Sequence, residues 1–147
     1  FCAFWIFITM MSGGFVAGLD AGLTYNTFPL MDGQVVPNGL ATLSPWYLNL
    51  FENITTVQFD HRVLAETTLL LIIGLWFAAL KSDLPVAVLQ AFHALMVMGL
   101  VQVTLGAITL LYVVPVSVAA LHQAGALVLL TFALWAVHSL IGKPYLS

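Results

Sequence analysis

The sequence contains very little charge. Asp, Glu, Lys and Arg make up 6% of its 147 residues, 62% are hydrophobic, and the mean hydropathy is +1.08. Soluble domains carry about 25% charged residues, so this chain has too few charges to cover a surface in water. Most of its exterior is therefore expected to contact the lipid bilayer. The three Lys and Arg residues form no basic patch, and no nucleic-acid partner is expected.

Cysteine is also nearly absent. Cys2 is the only one, so no disulfide can form within the chain. The sequence opens at Phe1 inside an apolar run, and we expect the chain to be a fragment of a longer protein. The run lacks the basic start and the A-x-A cleavage site of a signal peptide. It therefore predicts a membrane span.

Four apolar segments are long enough to cross a membrane, since about 20 apolar residues at about 1.5 Å each span about 30 Å of hydrocarbon. They are residues 1–19, 57–80, 86–114 and 116–141. Residues 20–56 form a long polar loop that contains glycine and proline. The predicted fold is therefore an all-α integral membrane four-helix bundle with one long outer loop, and residues 1–147 form a single domain.

Positive residues predict the orientation of the bundle, because loops on the cytoplasmic or matrix side collect Lys and Arg. Lys81 and Lys143 lie at one end of the predicted spans. The long loop at the other end carries Asp20, Asp32 and Glu52 and neither Lys nor Arg. We therefore expect the long loop outside and both chain ends inside.

Two of the four histidines are expected at the same depth in the membrane. His61 is four residues past Val57 and His122 is six past Val116, and both spans run inward, so both lie roughly 6 to 9 Å below the outer boundary. Two imidazoles at one level of a four-helix bundle suit a haem, with one His on each axial face of the iron. Small residues near His122 would leave room for a porphyrin: Ala119, Ala120, Ala124, Gly125 and Ala126.

The same spacing also fits a simpler interpretation, in which each histidine only hydrogen-bonds a neighbouring helix, and the two interpretations carry about equal weight. A zinc site is less favoured, because only Asp60 adds a further ligand at that level. His93 and His138 lie toward the inner side. We expect them to be interfacial histidines, with a second haem site between them as the less favoured alternative.

Arg62 directly follows His61 near the outer boundary, and two partners are expected for it. One is a propionate of a bound haem, which a guanidinium can hold with two hydrogen bonds. The other is Glu66, which stands four residues further along the same helical face. A guanidinium has five donors and can serve both.

Six ordered blocks of the sequence are similar to a known family. They comprise residues 18–22, 25–29, 51–53, 58–62, 102–106 and 122–125. Together they resemble the C-terminal half of haem A synthases of the proteobacterial and mitochondrial type, and the resemblance covers nearly the whole chain. It implies a membrane protein of the bacterial cell membrane or the mitochondrial inner membrane.

The resemblance implies a function for the histidine pair. Members of the family resemble two fused four-helix bundles, and the C-terminal bundle holds a haem b with the residues that correspond to His61 and His122 as axial ligands. The family oxidises the C8 methyl of haem O to the formyl of haem A for cytochrome oxidase assembly. Haem O binds the N-terminal bundle, so no catalytic residue is expected in this chain.

A different class of function fits the same residues. A bis-histidine haem in a four-helix bundle has no open coordination position, so the chain could equally be a b-type cytochrome that only transfers electrons. An electron donor, of a kind that the residues do not identify, and association into a homo-oligomer are compatible with either function.

Overall fold

The computed structural model describes residues 1–141, and within this range the chain is almost entirely helical. The helices are α1 Cys2–Gly18, α2 Asn49–Glu52, α3 Ile54–Leu80, α4 Val86–Leu111 and α5 Val116–Ile141. Two short 3-10 helices lie in the long loop, at Ala21–Leu23 and Trp46–Leu48. The prediction of an all-α protein is confirmed.

The four long helices pack as a ring. Helix α1 contacts α3 and α5, while α4 contacts α3 and α5, so α3 and α5 face each other across one diagonal of the bundle. Consecutive long helices run in opposite directions, which makes α3 and α5 parallel. Both begin at the end of the bundle that carries the long loop, which we call the loop end.

The well-packed core lies away from the loop end. One buried cluster joins all four helices at mid-height and comprises Ile6, Ile72, Leu95, Leu129 and Ala133. A second cluster lies nearer the opposite end and comprises Ala79, Val88, Ala91, Phe92 and Ala136. The loop half of the bundle is therefore left with room inside.

Three helices, α3, α4 and α5, are long and apolar enough to cross a membrane. Helix α1 is also apolar but has 17 residues, a length of about 26 Å that is near the lower limit for a span. Large apolar side chains face outward around the bundle, for example Phe4 at 64%, Leu70 at 68% and Val97 at 61% exposure. The prediction of a membrane protein with a helical bundle is confirmed.

Helix α4 is shorter than its predicted span, which ended at residue 114. It stops at Leu111, and Val113 and Val114 take left-handed backbone angles, with φ of 58° and 55°. This conformation is unusual for β-branched residues. Val114 packs against the loop instead, where a Cβ added to Gly22 would lie 3.0 Å from its Cγ2 atom.

Helix α3 begins earlier than its predicted span, at Ile54 instead of residue 57. The reason is a side-chain cap, because the Asn53 Oδ1 atom accepts a hydrogen bond from the Thr56 backbone N–H at 3.1 Å. The Asn53 amide also donates to the Gly39 carbonyl at 3.0 Å and to Asn49 Oδ1 at 3.1 Å. Asn53 thus joins the loop to the helix.

Only part of the charge pattern used to predict orientation falls in the described chain. Lys81 follows α3 at the end opposite the loop, and Asp20 and Asp32 lie in the loop. Lys143 lies outside the described residues.

Candidate functional site

The structure brings His61 and His122 together inside the loop half of the bundle. His61 lies about two turns from the start of α3, and His122 lies slightly less than two turns from the start of α5. Because these helices are parallel and diagonally opposed, both imidazoles reach the bundle axis at one level. The ring centres are 6.5 Å apart and the ring planes are 79° from each other.

A cavity of about 520 Å³ surrounds the two imidazoles. It extends from the loop residues Leu23 and Phe28 down to Ile6 and Ile72 of the mid-height core. All four long helices line it, mostly with aliphatic side chains and glycine. Its volume lies within the range of about 300 to 1,000 Å³ that is typical of cofactor and small-molecule sites.

Two glycines let the histidine rings lie close to the flanking helices. A Cβ added to Gly13 of α1 would be 3.1 Å from His61 Cε1, and one added to Gly106 of α4 would be 3.2 Å from His122 Cε1. Any larger residue at either position would push its ring toward the cavity. Each imidazole is therefore confined between its own helix and a glycine of the neighbouring helix.

His61 has a hydrogen-bond partner on the neighbouring helix, whereas His122 has none in residues 1–141. The Nδ1 atom of His61 lies 2.8 Å from the Ser12 hydroxyl of α1. The Nδ1 atom of His122 is buried and unpaired. The two rings are thus similar in packing and different in their polar contacts.

Buried polar atoms without a partner concentrate around the cavity. Within the described chain six side-chain atoms are of this kind, and four belong to residues that line the cavity: Gln58 Oε1, Arg62 Nε, Gln102 Nε2 and His122 Nδ1. A buried polar group that lacks a hydrogen bond is destabilising. These four residues therefore line the cavity and each also has a buried polar atom that makes no hydrogen bond within residues 1–141.

Arg62 does not pair with Glu66, which was one of its two predicted partners. Its two terminal nitrogens donate to backbone carbonyls of the loop, to Tyr25 at 2.8 Å and to Thr27 at 2.9 Å. Burial favours this arrangement, because Arg62 is 8% exposed while Glu66 lies on the exposed surface. Arg62 therefore holds the loop over the cavity, while its Nε atom is buried and makes no hydrogen bond within residues 1–141.

The small residues near His122 are only partly used as predicted. Ala119 and Ala126 line the cavity, and Gly125 is buried against the Gln102 amide, where a Cβ would collide with Nε2. Ala120 and Ala124 lie on the exposed side of α5. The periodicity of the helix places these small residues on different faces of α5, and their number alone does not show which of them face the cavity.

The two inner histidines lie apart from this site. His93 is exposed, and its Nδ1 accepts a hydrogen bond from the Trp76 indole N–H at 2.9 Å. His138 is exposed near the end of α5. Neither histidine lines the cavity, and their location at the membrane interface stays a prediction.

The site can hold one metal between two imidazoles more readily than a metal with several protein ligands. Residues 1–141 contain no group of three or more His, Cys, Asp or Glu side chains close enough to bind one ion. Two facing imidazoles in an apolar cavity suit a metal whose other ligands come from a cofactor.

Sequence reasoning missed three residues of the site, namely Ser12, Gly13 and Gly106. Each acts on a histidine that belongs to another helix. Small residues at bundle contacts are the signal that could have found them, because they let helices approach closely. The sequence alone does not say which histidine each one faces.

Comparisons with known proteins identify a family for the chain. Residues 1–134 match the COX15-CtaA family, described as cytochrome oxidase assembly protein. The chain is 53% identical to "Heme A synthase" of Nitrosospira multiformis over 92% of its length, and 48% identical to "Heme A synthase COX15" of Homo sapiens over 95%. These matches span 38% and 34% of the two relatives.

No solved structure gives a significant match. The family match covers most of the chain, and relatives from a bacterium and from humans are about equally similar to it. The chain therefore belongs to the COX15-CtaA family of cytochrome oxidase assembly proteins.

Proposed function

We propose that this chain is the haem-binding bundle of a haem A synthase, with His61 and His122 as the axial ligands of one haem b. The observation that carries the proposal is the 6.5 Å separation of the two imidazole centres inside the cavity. Two metal–nitrogen bonds of about 2 Å, plus roughly 1.1 Å from each nitrogen to its ring centre, require about 6 Å. The side chains thus already have the spacing that a single metal needs.

The surroundings of the histidines support a macrocycle better than a bare ion. The cavity is apolar along most of its wall, as a porphyrin face requires, and Gly13 and Gly106 leave the rings free of flanking side chains. When bound, a haem supplies an iron that accepts and donates one electron. The protein's contribution is to hold two imidazoles on opposite faces and to exclude water.

Arg62 is proposed to attract the haem propionates to the loop end of the cavity. Its guanidinium is fixed by the Tyr25 and Thr27 carbonyls, which are neutral, so its positive charge is not neutralised by an ion pair. Arg62 lines the cavity, so the proposed propionate contact rests on the positive charge of its guanidinium. A carboxylate near a buried guanidinium gains a charge-assisted hydrogen bond.

For the whole enzyme we propose oxidation of the C8 methyl of haem O to the formyl of haem A. The names of the two relatives support this activity, and the chain spans 38% or less of their length. We place haem O binding and catalysis in the part of the enzyme beyond this chain. The long loop is assigned to the outer side of the bacterial cell membrane or mitochondrial inner membrane.

An electron-transferring b-type cytochrome is the second candidate. The paired imidazoles favour it, because they fill both axial positions and leave none for oxygen or substrate. The two candidates agree about this half of the enzyme, since its haem would pass electrons or stabilise the bundle in both. They differ in whether haem A is made.

Replacing either ligand should remove the spectrum of a low-spin haem. In His61→Ala or His122→Ala one axial bond is lost, so we expect the sharp bands of the reduced chain to broaden or disappear. The absorption spectrum of purified protein measures this. His93→Ala is the matched control and should keep the bands, because His93 is exposed and bonded to Trp76. Normal bands in both ligand variants would contradict the assignment.

Replacing Arg62 separates its charge from its contacts with the loop. Arg62→Leu should weaken haem retention roughly tenfold or more, the usual effect of losing a charged hydrogen bond. Arg62→Lys keeps the charge but replaces the two terminal nitrogens that bond separate carbonyls with a single ammonium nitrogen, so it should retain more haem than Arg62→Leu while the loop becomes easier to cleave. Haem titration and limited proteolysis measure the two effects. Equal haem retention in Arg62→Leu and the unchanged chain would remove the propionate role.

The chain alone should bind haem b without making haem A. It contains the proposed ligands of a b-type site, and its paired imidazoles leave no position for oxygen. Haem extraction from a host that makes haem O and expresses only this chain measures the products. Detection of haem A there would place the oxidation within this half of the enzyme.

A further inference from the structure

The Ser12 hydroxyl makes two contacts whose roles can be assigned. It lies 2.7 Å from the Thr9 carbonyl oxygen of its own helix and 2.8 Å from Nδ1 of His61. A carbonyl oxygen can only accept, so both contacts are hydrogen bonds only when Ser12 gives its single hydrogen to Thr9. The contact with His61 then requires the imidazole to donate from Nδ1.

This donor–acceptor assignment corresponds to one tautomer of His61, with the proton on Nδ1. With its proton on Nδ1, a neutral imidazole keeps the lone pair of Nε2 free, which is the form needed to bind a metal through that nitrogen. Metal-binding histidines commonly donate their other N–H to a polar group, which orients the ring and raises its basicity. We propose that Ser12 is a positioning residue that sets the tautomer and orientation of His61 for haem binding, an inference that rests on the proposed function.

The packing of α1 on α3 supports this role. Near Ser12, the Thr9 and Thr68 hydroxyls of the same two helices lie 2.8 Å apart, and this contact fixes the height of α1 relative to α3. Gly13, next to Ser12, provides the space in which the His61 ring lies. Ser12 therefore supplies the polar contact and Gly13 the close approach.

The ordinary alternative is that Ser12 only bonds its own helix, as many helical serines do. That contact would place no demand on His61. Thr67, Thr104 and Thr131 illustrate this class, since each hydroxyl donates to the carbonyl four residues earlier. Ser12 differs from them because its oxygen also meets a ring nitrogen of another helix.

His122 shows what the contact adds. Its Nδ1 is buried and has no hydrogen-bond partner within residues 1–141, so no side-chain hydroxyl there orients its ring as Ser12 orients that of His61. The two proposed ligands are therefore unequal, and the protein prepares His61 in advance. Without the Ser12 hydroxyl, the Nδ1 atom of His61 should lack a side-chain hydrogen-bond partner, as that of His122 does.

The test uses variants that differ at the hydroxyl. In the haem-loaded chain, Ser12→Ala should shift the midpoint potential to a more positive value, because a less basic imidazole stabilises ferric iron less. It should also weaken haem retention by about tenfold or more. Ser12→Thr keeps a hydroxyl, so its midpoint potential and its haem retention should match those of the unchanged chain. Ser12→Val has the shape of threonine but no hydroxyl, so it replaces Ser12→Ala in the test if the alanine variant folds poorly. We expect the same positive shift of the midpoint potential and the same loss of haem retention in Ser12→Val as in Ser12→Ala.

Thr67→Val is the matched control, because it removes a hydroxyl that bonds only within α3. It should leave both values unchanged. The proposal is overturned if Ser12→Ala and Ser12→Val keep the original potential and retention, or if Ser12→Thr shifts them as far as Ser12→Val does.

A haem-independent measurement separates this proposal from the proposed function. Nitrogen-15 NMR of the haem-free chain should find the Nδ1–H tautomer of His61 in the unchanged chain and in Ser12→Thr, and a mixture in Ser12→Val. That result together with no haem binding would refute the haem site and leave the tautomer assignment intact. Haem binding, together with the same His61 tautomer in Ser12→Val as in the unchanged chain, would refute only the role of Ser12.

Discussion

In hydrocarbon no water is available to pair with polar groups, so each buried polar atom must find a partner within the bundle or in a ligand. This constraint explains why Arg62 bonds two loop carbonyls and why Gln58 donates to the Ala21 carbonyl at 2.9 Å. Both contacts draw the loop over the open half of the bundle. The unpaired atoms that remain in residues 1–141 belong mostly to residues that line the cavity.

The constraint also shapes the two histidine positions. Diagonal placement of α3 and α5 brings the imidazoles to the axis, and the flanking helices approach closely through Gly13 and Gly106. Packing is dense below this level, around Ile72 and Leu129, and open above it. The half of the bundle around the imidazoles is therefore open. In the proposed function, both axial positions of the haem would be filled there, which would restrict it to electron transfer or structural support.

Much of this arrangement was predictable from the sequence. Long apolar runs identify the helices, and the distance of each histidine from its helix start gives a common depth. The end of α4 was not predictable in the same way, because residues 112–114 are as apolar as a helix yet form the turn. The contacts of Arg62 and Ser12 depend on packing between residues far apart in the chain. Local sequence patterns do not predict such contacts.

We propose that His61 and His122 bind the same iron. Pulsed electron paramagnetic resonance of the oxidised chain, with nitrogen-15 introduced in histidine, can count the histidines bound to that iron. We expect a low-spin ferric signal coupled to nitrogens of two histidines. We also expect high anisotropy of this signal, since the two ring planes are 79° apart. A high-spin signal, or coupling to a single histidine, would contradict the claim.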